Sequence, residues 1–289
     1  MGEYSAQVTR HAIALGLMDL PKNPRDVLVS LDIDGTIVTP EQQIYPKVKE
    51  YADRLRIGGV HICITTGRSV PATLPVVEGL ELESAWIASA NGSLVGRYTQ
   101  ADGYALTNQY TFDPRPIVAR VLQVLPEACI GVEDNPLGFR VSKPFPPGEL
   151  RETLEVQDLD TLLATPVSRV VIREPQLHNE DFHRAVNRID FTGVEHAIGW
   201  RSWLDINPPG TSKGHGLATV CKNLGVDLGH TIAIGDGGND IPLLQTAGYG
   251  VAMGNARPEV KAAATATTLP DTKQGAGAVL EALTQVMGL

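Results

Sequence analysis

Apolar positions along the chain follow two rhythms. Val27, Leu28, Val29, Leu31 and Ile33 make a near-continuous run of strand length, broken by Asp32 and Asp34 and closed by Gly35-Thr36. Such a run predicts a strand buried on both faces, as in a parallel sheet. Helical spacing follows over 46–57, through Val48, Tyr51, Ala52 and Leu55, and stops at Gly58-Gly59. A strand over 60–64 then runs into Thr65-Thr66-Gly67-Arg68. A helix over 69–80, despite Pro71 and Pro75, and a strand over 85–90 that ends at Asn91-Gly92 complete a β-α-β-α-β pattern. Ahead of it, a short amphipathic helix is predicted over 12–18, closed by Pro21 and Pro24.

After Gly92 the rhythm changes. Short strands with glycine breakers fill 93–110, a helix 116–125, and a hairpin 129–132 with 139–141; three prolines make 143–148 a loop. Helices are predicted over 149–163 and 180–189 with a strand at 168–173 between them, then a second hairpin, 194–199 with 203–206. From Pro208 the first rhythm returns: helix 213–224, strand 231–234, helix 240–247, strand 249–253 and a closing helix 277–287. The expected fold class is α/β, a Rossmann-like core of 1–92 and 208–289 with a parallel sheet flanked by helices, and an inserted α+β domain of 93–207.

Composition narrows the function. With 289 residues, 43% hydrophobic and 20% charged, the chain can bury a sizeable core. A formal charge of −9 argues against nucleic acid or an anionic membrane as the main partner, because those need clustered Lys and Arg. Cys63, Cys129 and Cys221 are odd in number and far apart, which suggests buried thiols in a reducing compartment. The first twenty residues lack a basic n-region, and no apolar run approaches the roughly 20 residues of a membrane helix. A cytoplasmic location is expected.

The chemistry lies where apolar strands run into carboxylates. Asp32 and Asp34 repel each other and are costly to desolvate; a hard cation such as Mg²⁺, held by one or two carboxylates, resolves that. An EF-hand loop does not fit, because Gly35 comes too early and a strand precedes it. Ile234-Gly235-Asp236-Gly237-Gly238-Asn239-Asp240 repeats the arrangement. With the Thr66-Gly67 turn and Lys213, these stretches offer a metal, a hydroxyl, backbone amides and an ammonium around a tetrahedral dianion. Phosphoryl transfer rests on such positioning and charge stabilisation.

The stretches DIDGTI, TTGRS, ANG, PPGTSKGHGL and GDGGNDIPLL, in this order from Asp32 to Leu244, resemble the haloacid dehalogenase superfamily of phosphatases. Within it they resemble the Cof-type, subclass IIB branch with its large cap of the C2B type. The resemblance implies that Asp32 is the nucleophile and Asp34 the acid/base. It implies that Thr66 and Lys213 hold the phosphoryl group, helped by the amides of Gly67 and Ile33, with Arg68 and Asn239 also at the phosphate. It further implies that Asp32, the Asp34 carbonyl and Asp236 bind Mg²⁺, while Asn239 and Asp240 support the metal's waters and the lysine. The implied reaction is hydrolysis of a small phosphate monoester, a sugar phosphate or related metabolite, by a monomer or homodimer.

Other readings compete. A phosphomutase of the same superfamily and a catalytically silent metabolite-binding protein share these residues. Gly210-Thr211-Ser212-Lys213-Gly214 matches a serine-hydrolase elbow but lacks a suitable later acid and histidine. In the insert, Trp200, Trp203, Arg140, Arg169 and His196 are candidates to line the substrate space, each with a purely structural reading beside it.

Overall fold

Strand β1 (Leu28–Leu31) is fully buried and faces apolar layers on both sides. Val29 and Leu31 point to one layer, with Val48, Leu55 and Val279; Leu28 points to the other, with Leu217, Val220 and Leu243. Alternation of side chains along a strand requires two such layers when every position is buried. The computed structural model describes every residue except 1, 136–137, 151–153 and 200–201.

The strands that follow are β2 (His61–Thr65), β3 (Ser84–Ser89), β4 (Leu94–Thr99), β5 (Gly103–Gln109), β6 (Cys129–Asn135), β7 (Gly138–Val141) and β8 (Leu154–Val156). After them come β9 (Arg169–Arg173), β10 (Glu195–Ile198), β11 (Trp203–Asn207), β12 (Thr231–Gly235), β13 (Tyr249–Ala252) and β14 (Ala266–Thr267). One eight-stranded sheet has the order β14-β13-β12-β1-β2-β3-β4-β5 and a six-stranded one the order β10-β11-β9-β6-β7-β8. The first six strands of the large sheet pair in parallel. Strand order reverses direction around β1, so β2 and β12 flank it. Ligand sites of open α/β sheets form beyond the carboxyl ends of strands at such a switch point.

The insert differs from expectation at its start. β4 and β5 pair antiparallel onto β3 and extend the large sheet, so 94–109 is built on the core sheet and not on the second one. The reversal is local. Ala90, Asn91 and Gly92 have φ of 49°, 53° and 87°, and this left-handed run turns the chain straight back along β3. A Cβ on Gly92 would stand 2.2 Å from the Ser212 carbonyl oxygen, so only glycine fits there.

Two helix expectations also change. The first helix spans Glu3–Gly16, not 12–18, because Val8, His11 and Leu15 are buried at helical spacing among polar neighbours. The helix expected over 149–163 falls partly outside the described residues. From Leu154 onward the chain is instead β8, paired with β7, then a four-residue helix, Leu159–Leu162, capped by the Asp158 side chain. Pairing with a neighbouring strand overrides local helix propensity here. Among the described residues, no helix is long and apolar enough to cross a membrane.

Candidate active site

Asp32 follows β1 and is anchored by its amide, which donates to the Ile234 carbonyl of β12 at 3.0 Å. Its neighbour across the sheet, β12, delivers Asp236 by the same route. The helix Lys213–Leu224 places Lys213 in its first turn, where Ser212 caps by accepting from the His215 amide at 3.1 Å. That cap commits the Ser212 hydroxyl to the start of the helix, which argues against the serine-hydrolase reading.

Lys213 Nζ lies 2.6 Å from Asp32 Oδ1 and 2.6 Å from Asp240 Oδ1, and all three residues are buried. Burial pushes the Lys213 ammonium down, but Asp240 and Asp32 outweigh it and hold the group above its ordinary value. Burial, then Asp240, pushes the Asp32 carboxyl well up against the pull of Lys213. Burial and Asp240 likewise raise Asp236, to about 6.

One carboxylate oxygen from each of Asp32, Asp236 and Asp240 lies within 4.8 Å of the others. Asp240 has both oxygens engaged: Oδ1 by Lys213, and Oδ2 by the amides of Asp236 and Gly237 at 3.1 and 2.8 Å. It therefore shapes the turn and holds the lysine, while the three carboxylates together form an acidic cluster compact enough to share a metal ion. Three carboxylates against one ammonium leave an excess of negative charge, and an all-oxygen donor set suits Mg²⁺. The residues fit the ion that the motifs imply.

Asp236 is seated by residues that the motifs did not single out. Asn255 Nδ2 donates to Asp236 Oδ2 at 3.1 Å and to the Gly35 carbonyl at 2.9 Å, joining the two acidic turns. Thr36 Oγ1 reaches Asp32 Oδ2 at 3.3 Å. Asn91 links two more elements: its Oδ1 accepts from Asn239 at 3.1 Å, and its Nδ2 donates to Asn207 of β11 at 3.3 Å. Asn91 lay in the quoted ANG stretch, but Asn207 and Asn255 stand in sequence with nothing local to mark them.

Thr66 is buried, with its hydroxyl accepting from the Arg68 amide at 3.1 Å. Among the described residues no acceptor engages the amides of Gly67 or Ile33; Gly67 lines the cavity, whereas Ile33 is fully buried. Asp34 does not join the buried cluster through its side chain, which is 60% exposed and paired with Arg68. Arg68 thus engages a carboxylate, whereas the motifs placed it at a phosphate.

A cavity of about 1210 Å³ lies between the two sheets. Asp32, Asp34, Thr66, Gly67, Arg68, Lys213, Asp236 and Asn239 all line it, as do Arg169, His196 and Trp203 from the insert. Arg140 does not line it and instead donates to Gln157 at 3.0 Å; Trp200 lies outside the described residues. The model of the haloacid dehalogenase-like hydrolases matches residues 29–128 and 146–281, which include all of these core motifs. The chain belongs to the haloacid dehalogenase-like hydrolases.

Similar members of this family include pyridoxal phosphate phosphatase YbhA of Escherichia coli, 29% identical over 82% of this chain and 91% of its own length. Another is 5-amino-6-(5-phospho-D-ribitylamino)uracil phosphatase YitU of Bacillus subtilis, 25% identical over 88% of this chain and 96% of its own. The structure of the subclass IIB sugar phosphatase BT4131 superimposes with a TM-score of 0.72, at 21% identity, over 91% of this chain and 99% of that one. At that identity the likeness is one of fold.

Proposed function

We propose that this chain is a Mg²⁺-dependent phosphatase that hydrolyses a small phosphorylated metabolite through an Asp32 phosphoenzyme, with residues of the second sheet serving as a specificity cap. The observation that carries this is the Lys213 ammonium, buried between Asp32 and Asp240 at the carboxyl end of β1. A buried carboxylate held in place by a fixed cation is a positioned nucleophile.

In the first half-reaction an Asp32 oxygen bonds to phosphorus as the ester P–O bond breaks. Asp34 gives its proton to the departing oxygen. In the second, Asp34 takes a proton from water as the water oxygen bonds to phosphorus. The Asp32–phosphorus bond breaks, and phosphate and the Asp32 carboxylate are released. Lys213, the Thr66 hydroxyl and the Gly67 and Ile33 amides hold the phosphoryl oxygens throughout. Asp32 and Asp236, with the Asp34 carbonyl as the third expected ligand, would hold a magnesium ion, which would supply charge neutralisation for nucleophile and phosphate. Asn239 and Asp240 support that arrangement from behind.

The three described cysteines are free and buried, in keeping with the cytoplasm as the place of action. The partner is a small phosphate ester and not nucleic acid or membrane. The test is phosphate release from sugar phosphates, nucleotides and p-nitrophenyl phosphate, with Mg²⁺ and with EDTA, beside Asp32→Asn. Turnover lost with chelator and with the variant is expected. Turnover retained by Asp32→Asn would overturn the nucleophile, and movement of phosphate between two positions of one sugar, without release, would assign a phosphomutase.

A further inference from the structure

The roof of the cavity carries a carboxylate that the reaction above does not use. On β11, Trp203, Asp205 and Asn207 alternate with the buried Leu204 and Ile206, so the first three share the face toward the cavity, and all three line it. Asp205 Oδ1 accepts from Trp203 Nε1 at 3.1 Å and lies 3.5 Å from Arg169 Nη1. No described residue donates to Oδ2.

Position matters as much as the open oxygen. The same Arg169 nitrogen that faces Asp205 also donates to the carbonyl of Gly67. Asp205 therefore stands one guanidinium away from the loop whose amide is to hold phosphate. The first atoms of a leaving group attached to that phosphate would lie beside it. The cations on this wall are already paired: Arg169 with the buried Glu133 and, at 3.5 Å, with Asp205 itself, while Arg173 is held by both oxygens of Glu149 at 2.7 and 2.9 Å. A second anionic group on the substrate would thus meet Asp205 with no uncommitted cation beside it. A hydrogen-bond donor would meet an acceptor already oriented by Trp203.

Resting on the phosphatase reading, we propose that Asp205 is a specificity-determining residue that selects leaving groups bearing hydroxyls close to the phosphate ester and rejects those bearing a carboxylate there. Burial, set against the weaker opposing effect of Arg169, pushes the Asp205 carboxyl up. The substrate class is a polyol or sugar monophosphate, and the discriminated class is a phosphorylated hydroxy acid of the same length.

The test compares kcat/KM for polyol and sugar phosphates of three to six carbons with that for 3-phosphoglycerate and 2-phosphoglycolate, and for p-nitrophenyl phosphate as a reference. Wild type is expected to prefer the best polyol phosphate over both hydroxy-acid phosphates by at least tenfold. Asp205→Asn keeps an acceptor for Trp203, and Asp205→Ala removes it. In either, the ratio of polyol to aryl phosphate should drop by roughly ten- to a hundredfold, the scale of one hydrogen bond to a charged group. In Asp205→Asn the gap to 3-phosphoglycerate should narrow as well.

Equal losses on all substrates, or an unchanged ratio, would overturn the assignment. So would a wild-type preference for the hydroxy-acid phosphates, a result that needs no variant to fold. Ethanolamine phosphate separates hydroxyl from ammonium: turnover above that of glycerol 3-phosphate would overturn the polyol class. If no compound, the aryl phosphate included, is hydrolysed with Mg²⁺, the phosphatase reading falls and this inference with it. Aryl turnover without the polyol preference defeats only this one.

Discussion

Arg68 grips the Asp34 carboxylate with two nitrogens, Nε at 2.8 Å and Nη2 at 2.5 Å, and the same Nη2 reaches Gln42 Oε1 at 2.6 Å. A bidentate guanidinium fixes a carboxylate's plane as well as its position. The residue proposed as acid/base is therefore oriented by its neighbour in the TTGR turn. Arg68→Ala should lower kcat about tenfold for alkyl phosphates. It should lower it less for p-nitrophenyl phosphate, whose leaving group departs without a proton. A rise in KM with kcat unchanged on both would instead place Arg68 on the phosphate, as the motifs implied.

Lys213 neutralises two buried carboxylates at once. Lys213→Met should reduce turnover by at least about a thousandfold, since nucleophile and phosphate both lose their fixed cation. It should also invert part of the stability profile. Without the ammonium, the Asp32 carboxyl, already pushed up by burial, must take up a proton to stay buried, so the folded state binds more protons than the unfolded one. The variant's stability deficit is then larger at pH 8 than at pH 5. Melting temperatures at the two pH values, both with EDTA, measure it; a deficit independent of pH would contradict the electrostatic role.

Gly35 has φ of +74°, and a Cβ there would stand 2.3 Å from Asp236 Oδ2. Gly35→Ala incurs left-handed backbone strain of about 1 kcal/mol and displaces a metal-ligand candidate. The expected result is a weakened Mg²⁺-dependent rise in melting temperature, with the metal-free melting temperature changed by only a few degrees. A normal Mg²⁺ shift would show that Asp236 does not hold the ion.

His11 is buried in the first helix, with Nδ1 2.9 Å from the Tyr249 hydroxyl and Nε2 without a partner among the described residues. Burial, with a smaller push from Arg10, lowers its pKa from 6.5 to about 4. Between those values the unfolded chain binds the proton and the folded chain does not, so stability is present above about pH 6.5 and is lost as pH falls toward 4. The loss attributable to this histidine is at most about 3 kcal/mol. His11→Phe should flatten that slope; an unchanged slope would assign it to other groups.

Much of this protein was legible in the chain itself. The apolar runs that end at Asp32, Thr66 and Asp236 mark strands whose carboxyl ends carry chemistry, because backbone pairing and burial impose a period that local sequence must obey. Motif spacing likewise brought Asp32, Thr66, Lys213, Asp236 and Asp240 into view before any contact was known; the structure gathers the first four around one cavity and sets Asp240 behind Lys213.

Tertiary structure decided what local pattern cannot encode. Whether 94–109 joined the core sheet depended on the left-handed turn at Ala90–Gly92 bringing β4 against β3. Nothing in residues 154–156 distinguishes a strand from a helix until β7 lies alongside. The roles of Asp240, Asn255, Arg68 and Asp205 follow from partners tens to hundreds of residues away, such as Gly35 for Asn255 and Gly67 beyond Arg169 for Asp205. A carboxylate's charge, access and partners are properties of the space around it, and that space exists only after the chain has closed upon itself.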